Sequence, residues 1–329
     1  MRSIEYVDPT SKRQVVKLLA TTWGETEILA GGTDLLSLMK DEIVTPKRLV
    51  NIKGIEELQG IRYNAQSGLR LGALVTIQEL LDHPQVLRNY PALSEAADGI
   101  RSRQIRSMGT VGGDLCQRPR CWYFRGGFGL LAKEKNGKSL VIEGDNRYHA
   151  ILGNSGPSYF VNPSTLAPAL IALEASVRIL GPRGEREVPL NKFFIIPQSE
   201  HQREYDIKPN EIVTEILVPP SNGVLNVTYE VHQREALDWP LVTASVAFKL
   251  RRKRVRSARV VMGQVAPVPW LSKEASTALK RKKINEDVAK AAAEAAVKKA
   301  KALSRNGYKI QLARVAVKRA ILLATQGGE

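Results

Sequence analysis

The sequence predicts an α+β protein in three parts, and three observations carry that prediction. Strand-like and helix-like runs alternate over residues 1–55, which favours parallel pairing. From residue 222 onward, β-branched runs follow one another through short turns, which favours antiparallel pairing. An alanine-rich helix and a second helix then close the chain, so a sheet covered by helices on one side is expected there. The pattern changes from residue 56, and Pro219-Pro220 with the following Ser-Asn-Gly marks a second boundary, dividing the chain into 1–55, 56–220 and 222–329.

The elements follow in order. SIEYVDP is a short strand, and TSKRQVVKLLATTW has helical spacing, with Val15, Leu18 and Leu19 on one face and Thr10 or Ser11 as its cap. TEILA is a strand, Gly31-Gly32 a turn, LLSLMKDE a helix and RLVNI a strand. In the second part, LRLGALVTIQELLDH reads as strand, glycine turn and helix, and ALSEAADGI as a helix. SYFVNPSTLAPALIALEASVRILG reads as a loop, a helix from Ser164 or Thr165, and a strand. EIVTEILVPP is a strand stopped by its prolines. In the third part LNVTYEVHQ and LVTASVAFKLRRKRVRSARVVMGQVAP are antiparallel strands. EDVAKAAAEAAVKKAKAL and IQLARVAVKRAILLA are helices, the second with Ile310, Ala313, Val317 and Leu322 on one face.

The 329 residues suffice for more than one core, and 43% hydrophobic with 25% charged residues is an ordinary globular balance. No apolar run approaches the roughly 18 residues of a membrane span, and the first residues lack an apolar signal core. A cytoplasmic address is expected, with export alongside a partner left open. The net charge of +16 is concentrated: residues 251–329 hold 20 Lys and Arg against 5 Asp and Glu, and residues 1–250 hold 29 against 28. The basic runs are RRKRVR (251–256), KRKK (280–283) and KKAK (298–301). They serve either an acidic or nucleic-acid partner or simply as solvated faces, and no nucleic-acid motif accompanies them. Cys116 and Cys121 are too few for a disulfide framework or an all-cysteine metal site. His83, His149, His201 and His232 are scattered, so neither a metal centre nor an acid–base pair is expected.

Two glycine pairs stand out, in ILAGGTDLLSLMK (28–40) and GTVGGDLCQ (109–117). A Gly-Gly turn after a strand lets successive N–H groups converge into an anion-binding nest, and a helix starting at once adds its own N-terminal amides. Thr33 adds a hydroxyl donor, unless Thr33 or Asp34 caps the helix instead. An ordinary strand–turn–helix connection explains one such pair equally well. Neither stretch is Gly-x-Gly-x-x-Gly or a Walker loop. Two of them converging on one elongated ligand suit a dinucleotide.

LAGGTDLL (29–36), RSRQIRSMGTVGGDLC (101–116), HAILG (149–153) and NPSTLAPALIALEA (162–175) resemble, in this order, the FAD-binding subunit of molybdenum hydroxylases, the xanthine dehydrogenase, carbon monoxide dehydrogenase and aldehyde oxidoreductase group. EIVTEILVPP, ARVVMGQVAPVPW and NGYKIQLARVAVKRAI resemble that family's C-terminal domain. The resemblance implies a two-part FAD-binding domain of PCMH, vanillyl-alcohol-oxidase-like type, followed by an antiparallel sheet with helices. It implies that Leu29, Ala30, Gly31, Gly32, Thr33, Asp34 and Leu35 wrap the FAD diphosphate. Thr110, Gly112, Gly113 and Asp114 then hold the diphosphate or ribityl side from the second loop. Leu152 packs near the flavin or adenine, Thr165 stands at a helix start facing the cofactor, and Arg234 and Trp239 lie near the isoalloxazine ring. The molybdenum cofactor and the iron–sulfur clusters are then expected only on partners, a large molybdenum subunit and a small iron–sulfur subunit, with electrons passing through FAD to an external acceptor.

Two positions depart from the family. Thr165 stands where an aspartate is usual, and Asp114 where an asparagine is more frequent, so Asp114 is expected to point away from a diphosphate or to bond ribityl hydroxyls. In one branch of the family an extra iron–sulfur cluster takes its first ligand at the position of Cys121. The insertion that holds the other ligands, 126–145 here, contains no cysteine, so Cys121 is expected to be a plain buried thiol. The alternative reading is a basic partner- or nucleic-acid-binding protein with a degenerate flavin fold. A free-standing flavin oxidase is a third, without visible substrate chemistry.

Overall fold

The computed structural model describes residues 3–234 and 238–326, arranged around three sheets. The first holds β1 (Glu5–Val7), β2 (Thr26–Leu29) and β3 (Arg48–Asn51), in the order β1-β3-β2 with parallel pairing throughout. The helix Lys12–Leu18 connects β1 to β2; the Ser11 side chain caps it by accepting from the Gln14 amide, and Val15 and Val16 pack on Val50, Ile52, Ile55 and Leu58. β2 is an edge strand, so the chain leaving it at Ala30 is open on one side.

The second sheet has the order β4-β5-β8-β6-β7 and is antiparallel throughout. Its strands are β4 (Ile61–Asn64), β5 (Gly68–Gly72), β6 (Ser176–Gly181), β7 (Gly184–Pro189) and β8 (Ile212–Val218). Leu69, Leu71, Val177, Ile179 and Ile216 face a core completed by Leu80 and Leu93 and by the helix Ala167–Ala172. That helix starts later than Ser164 or Thr165: its cap position is Leu166, without a side-chain cap bond, and the Ser164 hydroxyl ahead of it accepts from the Ala167 amide at 3.0 Å.

β9 (Val224–Val231), β10 (Val242–Arg251), β11 (Arg254–Gly263) and β12 (Trp270–Leu271) form the third sheet, antiparallel in the order β12-β11-β10-β9. The helices Lys273–Leu279, Glu286–Val297 and Tyr308–Gln326 lie on one face, and a row of alanines from Ala289 to Ala324 lets them approach closely. The helix beginning at Glu286 ends at Val297, before the basic residues that sequence patterning places within it. The expectation of a sheet covered on one side is corrected here. β10 is buried on both faces from Val242 to Phe248. The sheet's second face meets the helices of the second unit through the neighbouring strands β9 and β11: the Ala92 amide donates to Asn226 at 2.9 Å, the Thr228 amide to Glu95 at 2.6 Å, and Arg259 Nε to the Ile171 carbonyl at 3.0 Å. Small polar residues allow this, Thr228 and Ser245 satisfying one another at 2.7 Å. Among the described residues no helix is long and apolar enough to cross a membrane.

Within the second unit, Gly72 passes closely against the 58–60 segment. The Leu74 amide donates to the Leu58 carbonyl at 2.8 Å and the Gly72 amide to the Gly60 carbonyl at 3.0 Å, while the Ala73 carbonyl accepts from the Gly112 amide at 2.9 Å. A Cβ on Gly72 would lie 2.3 Å from the Leu58 carbonyl oxygen, with backbone on every side. Gly72→Ala is expected to lose about 1–3 kcal/mol of unfolding free energy through overpacking. Gly54→Ala, where a Cβ meets nothing within 4 Å, is expected to change it little. Urea denaturation of the two variants checks the pair.

Candidate functional site

A cleft of about 370 Å³ opens where the three units meet, lined from the first by residues 26–28 and 30–35, from the second by residues within 99–120 and 203–213, and from the third by 238–240. Its floor is a contact between two loops. β2 ends at Leu29, and the chain turns through Gly31 and Gly32 into the helix Leu35–Lys40, with Gly32 at φ +73°, where a side chain is strained. A Cβ on Gly31 would sit 1.7 Å from the Met108 carbonyl oxygen and 3.1 Å from the Gly109 nitrogen. Only glycine lets the first loop touch the second. Across this contact a Cβ on Gly109 would meet the Thr33 hydroxyl oxygen at 3.4 Å.

The two loops spend their amides differently. From Ala30 to Leu35, six successive backbone N–H groups make no hydrogen bond to any of the described residues. Around the second glycine pair every amide is spent: Val111 donates to the Val75 carbonyl at 2.8 Å, Gly112 to Ala73 at 2.9 Å and Asp114 to Thr110 at 2.8 Å, while Gly113 donates to the Thr110 hydroxyl oxygen at 3.1 Å. Gly112 and Gly113 do not form a turn after a strand. They lie in the helix Val111–Cys116 capped by Thr110, and Gly112 is needed because a Cβ would meet Ala73 Cβ at 2.9 Å. The first loop lines the cleft with unspent amides, and the second pair is a packing device that holds the wall.

The carboxylates beside the nest are all engaged. Asp34 does not cap its helix; it accepts from the Arg118 amide at 2.8 Å, Arg125 at 2.7 Å and Arg120 at 3.0 Å, pinning the 118–125 segment. Asp114 is buried and turned away from the cleft floor, accepting from the Ser164 hydroxyl, the Leu166 amide at 3.1 Å and Gln117 at 2.9 Å. Burial raises its carboxyl to about 6, against the pull of the Ser164 hydroxyl and the Leu166 and Thr165 amides. Two Trp–Arg stacks complete the lining, Arg120 over Trp239 at 4.7 Å and Arg203 over Trp23 at 4.3 Å. Arg203 also pairs with Glu27 at 3.2 Å, and burial lifts the Glu27 carboxyl to about 7.

Two family profiles match nearly the whole chain: one described as the FAD binding domain in molybdopterin dehydrogenase over residues 2–221, the other as the CO dehydrogenase flavoprotein C-terminal domain over 227–324. The chain belongs to the FAD-binding medium-subunit family of the molybdenum hydroxylases. Relatives in this family include the aldehyde oxidoreductase FAD-binding subunit PaoB of Escherichia coli K12, 34% identical over 246 residues, which are 74% of this chain and 76% of that protein. The carbon monoxide dehydrogenase medium chain of Hydrogenophaga pseudoflava is 29% identical over 293 residues, 89% of this chain and 85% of its own. A solved carbon monoxide dehydrogenase from Hydrogenophaga pseudoflava, lacking the Mo-pyranopterin moiety of its cofactor, superposes with a TM-score of 0.77 at 27% identity, covering 99% of this chain and 98% of that one.

Of the residues that the resemblance to this medium-subunit family marks, the structure gathers Ala30, Gly31, Gly32, Thr33, Asp34, Leu35, Thr110, Gly112, Gly113, Asp114, Thr165 and Trp239 around one cleft. It does not bring three others there. Leu29 packs inward with Met39 and Leu49. Leu152 is buried in the core of the third unit, its amide on the Val265 carbonyl at 3.0 Å, because Asn306 and Lys309 hold the preceding His149 and Ala150 carbonyls to the end of the chain. Arg234 is exposed outside the lining. Sequence patterning missed Trp23, Glu27, Arg118, Arg120 and Arg203; its one signal was the lone carboxylate of Glu27 inside an apolar strand. Among the described residues no three His, Cys, Asp or Glu are placed to hold a metal. Cys121 Sγ lies 3.2 Å from His149 Nε2, with burial raising the thiol and lowering the imidazole to about 4, so both are neutral.

Asp114 gives the family fold a pH dependence. The folded carboxyl keeps its proton up to about pH 6 and the unfolded one releases it near 3.8, so the protonated group stabilises the fold below about pH 4 and that contribution is lost as pH rises through 6. At about 1.4 kcal/mol per unit the loss is at most about 3 kcal/mol. Asp114→Asn is expected to remove this slope, so the variant gains on the wild type between pH 4 and 7. Urea midpoints at each pH check this; a constant difference means that Asp114 titrates at its ordinary value.

Proposed function

We propose that this chain binds FAD in the cleft and relays electrons from the iron–sulfur clusters of a small partner subunit, supplied by a large molybdenum-cofactor subunit, to an external acceptor. The observation that carries the reading is the row of six unspent amides from Ala30 to Leu35, held beside a second loop at the floor of the cleft. Such a row suits a diphosphate, because several N–H dipoles converge on one anion without any carboxylate free to repel it. The Thr33 and Thr110 hydroxyls stand beside it as further donors, and Thr165 lines the wall near the turned-away Asp114. The Trp23–Arg203 and Trp239–Arg120 stacks offer planar surfaces to the two ring systems of a dinucleotide. When bound, FAD supplies the redox chemistry, accepting and passing on electrons. The chain's own residues bind it, orient it and keep competing carboxylates occupied.

The purified chain is expected to carry, or to take up on reconstitution, a flavin with an absorbance band near about 450 nm. A chain that stays colourless after incubation with FAD overturns the proposal. Gly31→Ala drives a methyl group into the Met108 carbonyl and separates the two loops. It is expected to weaken FAD binding at least tenfold, or about 1.4 kcal/mol, in a fluorescence titration. Undiminished affinity removes the nest from the diphosphate site. In a complex copurified with its partners, molybdenum and iron are expected to follow the partner subunits when these are stripped away.

A further inference from the structure

Two of the basic runs, which the cleft does not use, form one surface. β10 and β11 are joined by a turn at Arg252 and Lys253, and the 280–283 loop runs beside it: the Val255 amide donates to the Lys282 carbonyl at 2.8 Å, the Arg281 amide to the Val255 carbonyl at 2.8 Å, and Arg254 Nη1 to the Arg281 carbonyl at 3.3 Å. Lys249, Arg251, Arg252, Lys253, Arg254 and Arg256 are exposed on the hairpin, and Lys280, Arg281, Lys282 and Lys283 on the loop. Among the described residues none of them has a salt-bridge partner, whereas Arg259, Lys299, Arg314 and Lys318 elsewhere in the same unit each do. Glu286, the first carboxylate after the loop, is taken by Lys318, and Asp287 beside it adjoins the patch. The third run, KKAK, is elsewhere: the Lys301 amide is bonded to the Ile151 carbonyl at 2.7 Å.

The backbone is strained where the charge is densest. Arg252, Lys253 and Arg281 adopt φ of 50°, 60° and 65°, the left-handed region that hairpin turns normally give to Asn and Gly. Keeping long cations at all three positions sacrifices stability for a cluster of unpaired charge, the mark of a segment held for a contact.

The kind of contact follows from what the patch lacks. It has no aromatic residue, so it offers no platform for single-stranded bases. Phe248 is buried, and Leu250 at 39% exposure is its one exposed large apolar side chain, too little for the anchored centre of a protein interface. Three chain segments lie side by side, one more than the two-stranded ribbon that a major groove admits. What remains is a broad phosphate-bearing surface read by charge, with Leu250 among the cations suited to the headgroup boundary. We infer that this end of the third sheet binds the surface of an anionic lipid bilayer. The ten residues of β10 set the tip about 30 Å from Val242, next to the cleft wall, so a bound membrane leaves the cleft open to soluble partners. The inference does not depend on what the cleft holds.

Cosedimentation of the full chain with vesicles tests it. Vesicles with about 30% phosphatidylserine are expected to bind the chain at about 50 mM salt, phosphatidylcholine vesicles are not, and binding falls at least tenfold by about 200 mM salt. The variant R252E/K253E/R281E/K282E is expected to lose at least tenfold. R252N/K253G, which relieves the left-handed strain, is expected to raise the melting temperature while weakening binding, separating fold from charge. Absence of binding to phosphatidylserine vesicles at low salt overturns the inference, as does wild-type binding by the charge-reversed variant. Patch-dependent binding of a DNA duplex without vesicle binding makes the surface a nucleic-acid site and likewise overturns it.

Discussion

The contact on which the rest of the molecule depends is one of backbone against backbone: Gly31 lying on Met108 and Gly109 with no side chain between them. It joins the edge of a parallel sheet to the junction between the helices Arg103–Met108 and Val111–Cys116, and the amides of the first loop stay without partners. Buried or half-buried N–H groups without partners are costly, and native structures leave few of them. Six in a row are kept here, five of them on half-buried residues and one on the exposed Thr33, in a loop tied down at both ends. Its N-terminal side is tied by the Ile52 amide to the Leu29 carbonyl at 3.0 Å, and its C-terminal side by Asp34 to three arginines' worth of donors.

That tethering also resolves an electrostatic conflict. Both glycine pairs are followed by aspartate, and a free carboxylate within a few ångströms of a diphosphate would be repelled. Each aspartate is drawn off by its own side of the fold, Asp34 by Arg118, Arg120 and Arg125, and Asp114 by Ser164 and the Thr165 and Leu166 amides ahead of the helix Ala167–Ala172. Glu204 and Glu27 are likewise matched by Arg118 at 2.8 Å and Arg203 at 3.2 Å. The acidic groups near the cleft therefore act as fasteners for its arginines, and the arginines in turn carry the tryptophan stacks. One set of ion pairs serves geometry and charge together.

What was legible in the sequence is what short-range pattern encodes. The alternation of strand and helix around β1, β2 and β3, the stop after β8 and the long amphipathic helix Tyr308–Gln326 all follow from periodicity and proline. The first glycine pair was readable because its turn, its helix and its edge strand are consecutive. The second was misread as a turn, since glycine is a poor helix former; the Thr110 cap and the close approach to Ala73 override that preference. Leu152 and the Arg120–Trp239 and Arg203–Trp23 stacks depend on segments far apart in the chain, and no local spacing announces them. The double burial of β10 was hidden for a related reason. Thr243 and Ser245 look outward-facing until Gln264 and Thr228 are seen to satisfy them.

That double burial is what makes the cleft a single object. Trp239 and Pro240 leave the cleft wall and lead directly into β10, which is clamped between its own helices and those of the second unit. If β10 were solvated on one face, the third wall would hang on one covering layer and the Arg120–Trp239 stack would have no fixed partner. With both faces packed, β10 moves only if the cores on both sides open, and it anchors the end of the wall that Pro240 leads into. Binding to such a site spends little free energy on ordering the protein. The chain then contributes through that geometry, with the amides of residues 30–35 and the Arg120–Trp239 stack held on walls that separate parts of the fold supply.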